Sequence, residues 1–234
     1  MTWDILRYDT VDSTNNVCKA LAAQGLDSTA VIARAQTAGK GRLYLSALWQ
    51  DCPAGQLLTV TPLAAVAVCR AVESLCDTDC GIKWCNDVVL HGKKLCGILT
   101  ESSLLPDGSA AWLVVGIGVN VGQASFPPDI ADMATSLALQ ELDVSPDALA
   151  DAKLAQLTAM RTVLTDPAEW LAEYRRRCVN LGRPVRVLRG NTVRQATALA
   201  IDEQFGLTVQ YENGETETVR SGEVSVRGLY GYIE

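Results

Sequence analysis

Histidine is nearly missing from this 234-residue chain, with His91 standing alone. Its eight cysteines include no paired C-x-x-C spacing, although Cys76, Cys80 and Cys85 lie close together. A zinc site draws on histidine and closely paired cysteines, so no metal of that kind is expected. A basic surplus is missing too: the net charge is -7 and the pI about 4.8. Binding along DNA rests on lysine and arginine at the phosphates, so DNA is not expected as a partner. The opening residues MTWDILRYDTVDSTNN lack the basic start and apolar core of a signal peptide. Nor is there an unbroken apolar run, because QLLTVTPLAAVAVCRAVESLC is interrupted by Pro62, Arg70 and Glu73. These absences predict a cytoplasmic protein with reduced thiols and no membrane partner.

What is present fits a globular chain, with 48% hydrophobic and 20% charged residues. The length allows one large domain and a small one. VDSTNNVCKALAAQG reads as a helix capped by Asp12 or Ser13 and stopped at Gly25. TAVIARA reads as a strand, and GQLLTV as another, with Pro62 opening the helix that follows. IKW and VVL are short strands. The turns HG and PDGS then fold KKLCGILTES against AAWLVVGIGVNV, favouring antiparallel neighbours over a βαβ pattern. Ser145-Pro146 opens a helix to about Leu164, and another covers Ala168 to Cys178. Beyond RRRCVNLG, short β-branched runs are separated by GN, DEQFG and ENGE, as in a small antiparallel barrel or sandwich. The boundary is placed near Gly182, giving domains 1–181 and 182–234.

Several stretches are candidates for chemistry. QTAGKGR, Gln36 to Arg42, joins glycines that admit an anion to backbone N–H groups with the cations Lys40 and Arg42. It lacks P-loop spacing and reads equally as a basic surface turn. GIGVNVG, Gly116 to Gly122, fails the dinucleotide spacing. Glycines within a strand mark a close approach by ligand or backbone, with the Asn120 amide nearby. DSTNN is either a plain cap or a helix start that offers polar groups to a ligand. In IKWCNDVVLHGKKLCGIL, Lys83 and Asp87 are four apart and Lys94 returns across a turn. That set is either a solvated hairpin face or a site for a nucleoside triphosphate with Mg²⁺.

Taken in order, VDSTN, QTAGKGR, IKWCND, GKKLCGIL, VVGIGVNV and GEVSVR resemble the blocks of biotin–protein ligases, across nearly the whole chain. The chain is similar to the short class, without an N-terminal DNA-binding domain. The resemblance implies an α+β fold: a mixed-sheet catalytic domain like class II aminoacyl-tRNA synthetases, then a small SH3-like β-barrel. It also implies a two-step reaction. Biotin is activated by ATP to biotinyl-5′-AMP, and its acyl group then passes to a lysine of a biotin carboxyl carrier domain of a carboxylase. A homodimer is compatible with this reading.

By motif position the resemblance assigns biotin to Ser13, Thr14, Asn15, Gln36, Gly39, Lys94, Gly97, Gly116 and Gly118. It assigns ATP to Lys40, Gly41, Arg42, Lys83, Asn86, Asp87 and Asn120, and Mg²⁺ to Asp87. Lys83, Lys94 and Arg42 are the implied catalytic cations.

Two departures stand out. Cys85 occupies a place where the family usually has proline, with its side chain expected to point away from the chemistry. GKGR runs straight into LYLSALW, where the family has a further Gly-Arg and an aromatic residue. The expectation drawn from this is that chain is missing between Arg42 and Leu43, because a glycine- and arginine-rich loop is poorly ordered without its anion. Trp49 is not expected to replace the lost aromatic. The competing functions are a lipoate–protein ligase and a non-catalytic biotin-binding module.

Overall fold

The computed structural model describes residues 2–36, 42–50, 52, 53, 55–220 and 225–228, the last four and Arg42 by their backbone alone. Seven strands form the first sheet: β1 (Asp4–Val11), β2 (Thr29–Gln36), β3 (Arg42–Trp49), β4 (Gly81–Lys83), β5 (Asp87–Leu90), β6 (Lys93–Leu104) and β7 (Ala110–Asn120). Their order is β1-β2-β3-β7-β6-β5-β4. Only β1 and β2 run parallel; every other neighbouring pair is antiparallel. The sheet is therefore mixed, and it is built largely from hairpins. The β5–β6 turn is His91-Gly92, both at positive φ (47° and 77°), the conformation a two-residue hairpin needs.

Helix α1 (Thr14–Ala23) covers one face of this sheet, with Cys18 and Ala22 packed on Val31, Leu48 and Val114. Of the two expected caps, Ser13 is the one at the helix start, its hydroxyl accepting from the Asn16 N–H. The helices α2 (Leu57–Glu73), α3 (Pro146–Thr162) and α4 (Ala168–Arg177) enclose the larger core on the opposite face.

One expectation fails here. GQLLTV is not a strand: Leu57 to Val60 begin α2, and Pro62 lies inside that helix. The β-branched Thr59, Val60 and Thr61 argue locally for a strand. Almost every side chain from Thr59 to Val72 is buried, however, and packing on all sides of one helix outweighs local propensity.

A second sheet follows, with β8 (Pro184–Arg189), β9 (Thr192–Ile201), β10 (Leu207–Tyr211), β11 (Thr216–Val219) and β12 (Ser225–Gly228). It is antiparallel throughout, in the order β11-β10-β9-β8-β12. No helix among the described residues is long and apolar enough to cross a membrane.

The expected gap after Arg42 is absent. Arg42 pairs with Asn120 and Leu43 with Val119, consecutive steps of one unbroken ladder. The alternation also runs on without a slip: Leu43, Leu45, Ala47 and Trp49 all enter the larger core. Trp49 is thus buried core, as its strand position required.

Lys153 on α3 is fully buried, and its Nζ has no hydrogen-bond partner among the described residues. Burial pulls its pKa from 10.5 down to about 8. Below pH 8 the folded state carries the full cost of the buried charge. Between about 8 and 10.5 the unfolded chain binds more protons, so stability rises with pH across that window. Lys153→Met is expected to stabilise the protein at pH 7 by roughly 1–3 kcal/mol, with the gain shrinking above pH 10. Urea unfolding at both pH values checks this; a loss of stability at pH 7 contradicts it.

Candidate active site

The register of the first sheet fixes the site. On the α1 face, Tyr44, Gly118, Gly97 and Asp87 lie side by side across β3, β7, β6 and β5. The next row is Ser46, Gly116 and Leu99, and the one after it Leu48, Val114 and Glu101. Glycines at the middle of two adjacent rows remove the side chains that would fill the face, leaving a trough in the sheet. Its cavity of about 580 Å³ is lined by Ser13, Thr14, Asn15, Gln36, Tyr44, Asn86, Asp87, Lys94, Gly97, Gly116, Gly118 and Asn120, among others.

The glycines serve different purposes. A β-carbon at Gly116 would fall on the Asn15 side-chain amide. One at Gly97 would meet Lys94 Nζ at 3.3 Å. One at Gly118 would make only ordinary contact, 3.6 Å from the Tyr44 ring.

Lys94 reaches the cavity through an irregularity. The β5–β6 ladder shifts between Val88 and Val89, where Lys94 pairs with Val89. Such a bulge re-aims a side chain. The segment after β7 holds the bulge from outside: Lys94 N donates to Met133 O at 2.8 Å, and Thr135 N to Lys94 O at 2.9 Å. The ammonium then lies 2.6 Å from Asp87 Oδ1. Asn120 keeps the outer segment in place, donating from Nδ2 to Thr135 O at 2.8 Å. Asn86 donates to Ile98 O at 2.8 Å and ties β6 to the 84–86 turn.

Lys83 does not line this cavity. It is 8% exposed, on the sheet edge, as the ladder partner of Asp87. The segment joining Lys83 to Asp87 is gripped from outside the sheet. Trp84 N donates to Asn180 Oδ1 at 2.7 Å, and its indole N–H to Phe205 O in the second sheet's 202–206 turn at 2.8 Å. Tyr174 OH donates to Cys85 O. The Trp84–Cys85 peptide is cis. Cys85 borders a small separate cavity with Leu58, Pro62 and Phe205 rather than the trough. Gly39, Lys40 and Gly41 lie outside the described residues, as does the side chain of Arg42.

Comparison with known proteins decides the family. Residues 8–120 match the biotin/lipoate A/B protein ligase family, and residues 181–227 match the biotin protein ligase C-terminal domain. A biotin–[acetyl-CoA-carboxylase] ligase of Mycobacterium tuberculosis is 33% identical over 91% of this chain and 85% of its own length. The chain belongs to the biotin protein ligase family. Another member, the bifunctional ligase/repressor BirA of Bacillus spizizenii, is 36% identical over 57% of the chain. That match spans 46% of the BirA length, about half of the relative. Among structures, the apo biotin protein ligase of Aquifex aeolicus superposes with a TM-score of 0.83, at 27% identity, covering 97% of this chain and all of that one. The Aquifex ligase in complex with biotin and ATP gives 0.81, at 26% identity, over 96% and 99% of the two chains.

Within this biotin protein ligase fold, sequence reasoning missed Tyr44, Ser46, Leu99 and the 130–134 segment as parts of the site. Tyr44 and Ser46 carried a usable signal, since they alternate with the core residues Leu43, Leu45 and Ala47. Leu99 is 61% exposed on the trough floor, where an apolar ligand ring would cover it. The 130–134 segment carried no local signal, because its place depends on the bulge at Lys94.

Proposed function

We propose that the protein activates biotin with ATP to biotinyl-5′-AMP and transfers the acyl group to a lysine of a carboxylase's biotin carrier domain. The observation that supports this most is the trough itself. It is apolar along Leu99, Ile130 and Met133, polar at the Thr14–Gln36 end and cationic at Lys94. That sequence of surfaces suits a ring with polar atoms, an aliphatic arm and a carboxylate. Ser13, Thr14 and Gln36 would hold the ureido ring, and Gly97, Gly116 and Gly118 would let the backbone approach. Lys94 would pair with the carboxylate. A carboxylate oxygen then attacks the α-phosphorus of ATP, and pyrophosphate leaves. Lys83, Asn86 and Asn120 would serve the nucleotide side, to which the motif positions also assign Lys40, Gly41 and Arg42.

Asp87 is the single carboxylate among the described residues that line the cavity, and no group of three donors there could cage a metal. Mg²⁺ is often held by one carboxylate with substrate phosphates, so Asp87 fits that role. When bound, the ion would neutralise charge on the phosphates. The same reading divides the chain at Gly182 into a catalytic domain of the synthetase-like type and an SH3-like one. It places the protein in the cytoplasm, with a second copy as a candidate partner.

The test is incubation of the full chain with ATP, Mg²⁺ and an apo carrier domain, with biotin or lipoate. Mass addition of one biotinyl group to the carrier is expected, and none with lipoate. Lipoylation instead would transfer the assignment to that sister activity. Binding of biotin with no transfer to any carrier would make the protein a sensor.

A further inference from the structure

Glu101 on β6 does not line the trough, yet it is connected to it. Its Oε1 accepts from Lys19 Nζ at 3.0 Å and its Oε2 from Asn15 Nδ2 at 2.7 Å. The Asn15 hydrogen bond and Lys19 hold its carboxyl below the usual range against partial burial, so it is an acceptor only.

A fixed order of protons follows. Asn15 must turn its NH₂ to Glu101, and Leu99 O, 3.4 Å from the same nitrogen, agrees. Asn15 Oδ1 therefore faces Ser46 Oγ, at 2.6 Å. An amide oxygen carries no hydrogen, so the Ser46 proton occupies that bond. Ser46 Oγ also lies 2.7 Å from Thr14 Oγ1. One hydroxyl proton cannot serve both contacts, so with the Ser46 proton on Asn15 the proton here is assigned to Thr14. With the Thr14 proton committed, Gln36 Nε2, at 3.1 Å, has to donate to Thr14 Oγ1. Thr14 is left facing the cavity with a lone pair and no hydrogen to give.

We propose that Glu101 is a specificity-determining positioning residue: its charge orders the Asn15–Ser46–Thr14 hydrogen bonds so that the pocket end accepts, selecting a ligand with an N–H there, such as a cyclic urea. This rests on the biotin reading above and explains how the site would reject a dithiolane ring, which brings no N–H. A site whose buried polar groups are left unpaired by the wrong ligand discriminates strongly. In Glu101→Gln the amide can donate to Asn15 Oδ1, leaving only the longer 3.4 Å contact with Leu99 O to favour the parent orientation, and the later bonds can then reverse.

The experiment is calorimetric titration of the full chain with biotin and with its cyclic carbonate analogue, in which oxygen replaces both ring N–H groups. The parent is expected to prefer biotin by roughly a hundredfold, and Glu101→Gln to compress that ratio about tenfold. Ser46→Ala, which cuts the chain of bonds midway, should compress it similarly. The double variant should show no further change, and this pair keeps the test valid if one single variant folds poorly. An unchanged ratio, with both ligands weakened equally, reduces Glu101 to a structural residue and overturns the proposal alone. Independent, multiplying effects of the two substitutions overturn it as well. A folded parent that binds neither ligand overturns the biotin reading, and the proposal with it.

Discussion

Lys94→Ala is expected to weaken biotin binding and adenylation together, each through a loss on the order of 2–4 kcal/mol. Two effects combine. The cation that meets the substrate carboxylate is gone, and the Asp87 carboxylate, 2.6 Å from Nζ in the parent, is left facing an incoming anion. Removing that second charge should restore part of the binding, so Lys94→Ala with Asp87→Asn is expected to bind biotin better than Lys94→Ala alone. Lys83→Ala should behave differently. Lys83 lies outside the trough, one strand beyond Asp87, so its loss should spare biotin affinity and slow adenylation. Titration with biotin, paired with pyrophosphate release, separates the two lysines. Identical profiles for both variants would show that the roles are assigned wrongly.

Gly116→Ala should be more damaging than a single methyl group suggests. The new β-carbon falls on the Asn15 amide, and Gly116 cannot retreat because it is paired with Ser46 on one side and Leu99 on the other. Asn15 must therefore swing out, abandoning Ser46 and Glu101 and entering the trough. A cost of about 2–4 kcal/mol in stability is expected, with biotin binding lost. Gly118→Ala provides the contrast. Its β-carbon meets the Tyr44 ring at an ordinary 3.6 Å, so stability should stay near the parent's while the methyl group shallows the trough. Thermal melts and biotin titrations on both variants check the pair. Equal stability for the two would remove Asn15 from the explanation of Gly116.

Much of this was legible in the sequence, for reasons that differ along the chain. The hairpins could be read because His91-Gly92 and Asp107-Gly108 carry their turn conformation in the residues themselves. The starts of α1 and α3 could be read because Ser13 and Ser145 cap them directly. Helix α2 could not, since its β-branched start becomes helical only when buried on all sides. The cluster of site residues followed from the resemblance, but their arrangement did not. Which face Gly97, Gly116 and Gly118 share depends on the pairing of β3, β7 and β6, and a one-residue slip would send them to the opposite face. Lys94 depends on a bulge, which no local pattern announced. Glu101 sits at a strand position that reads as an ordinary exposed acid until Asn15, eighty-six residues away, is placed against it.

The central claim, that this trough joins biotin to AMP, is tested most directly by biotin-dependent exchange of labelled pyrophosphate into ATP. The measurement needs no carrier domain and reports the adenylation step alone. Exchange that requires biotin and Mg²⁺, is not supported by lipoate, and is abolished by Lys94→Ala is the expected result. A folded protein that binds biotin yet shows no exchange at saturating ATP would contradict the account and leave a binding module in its place.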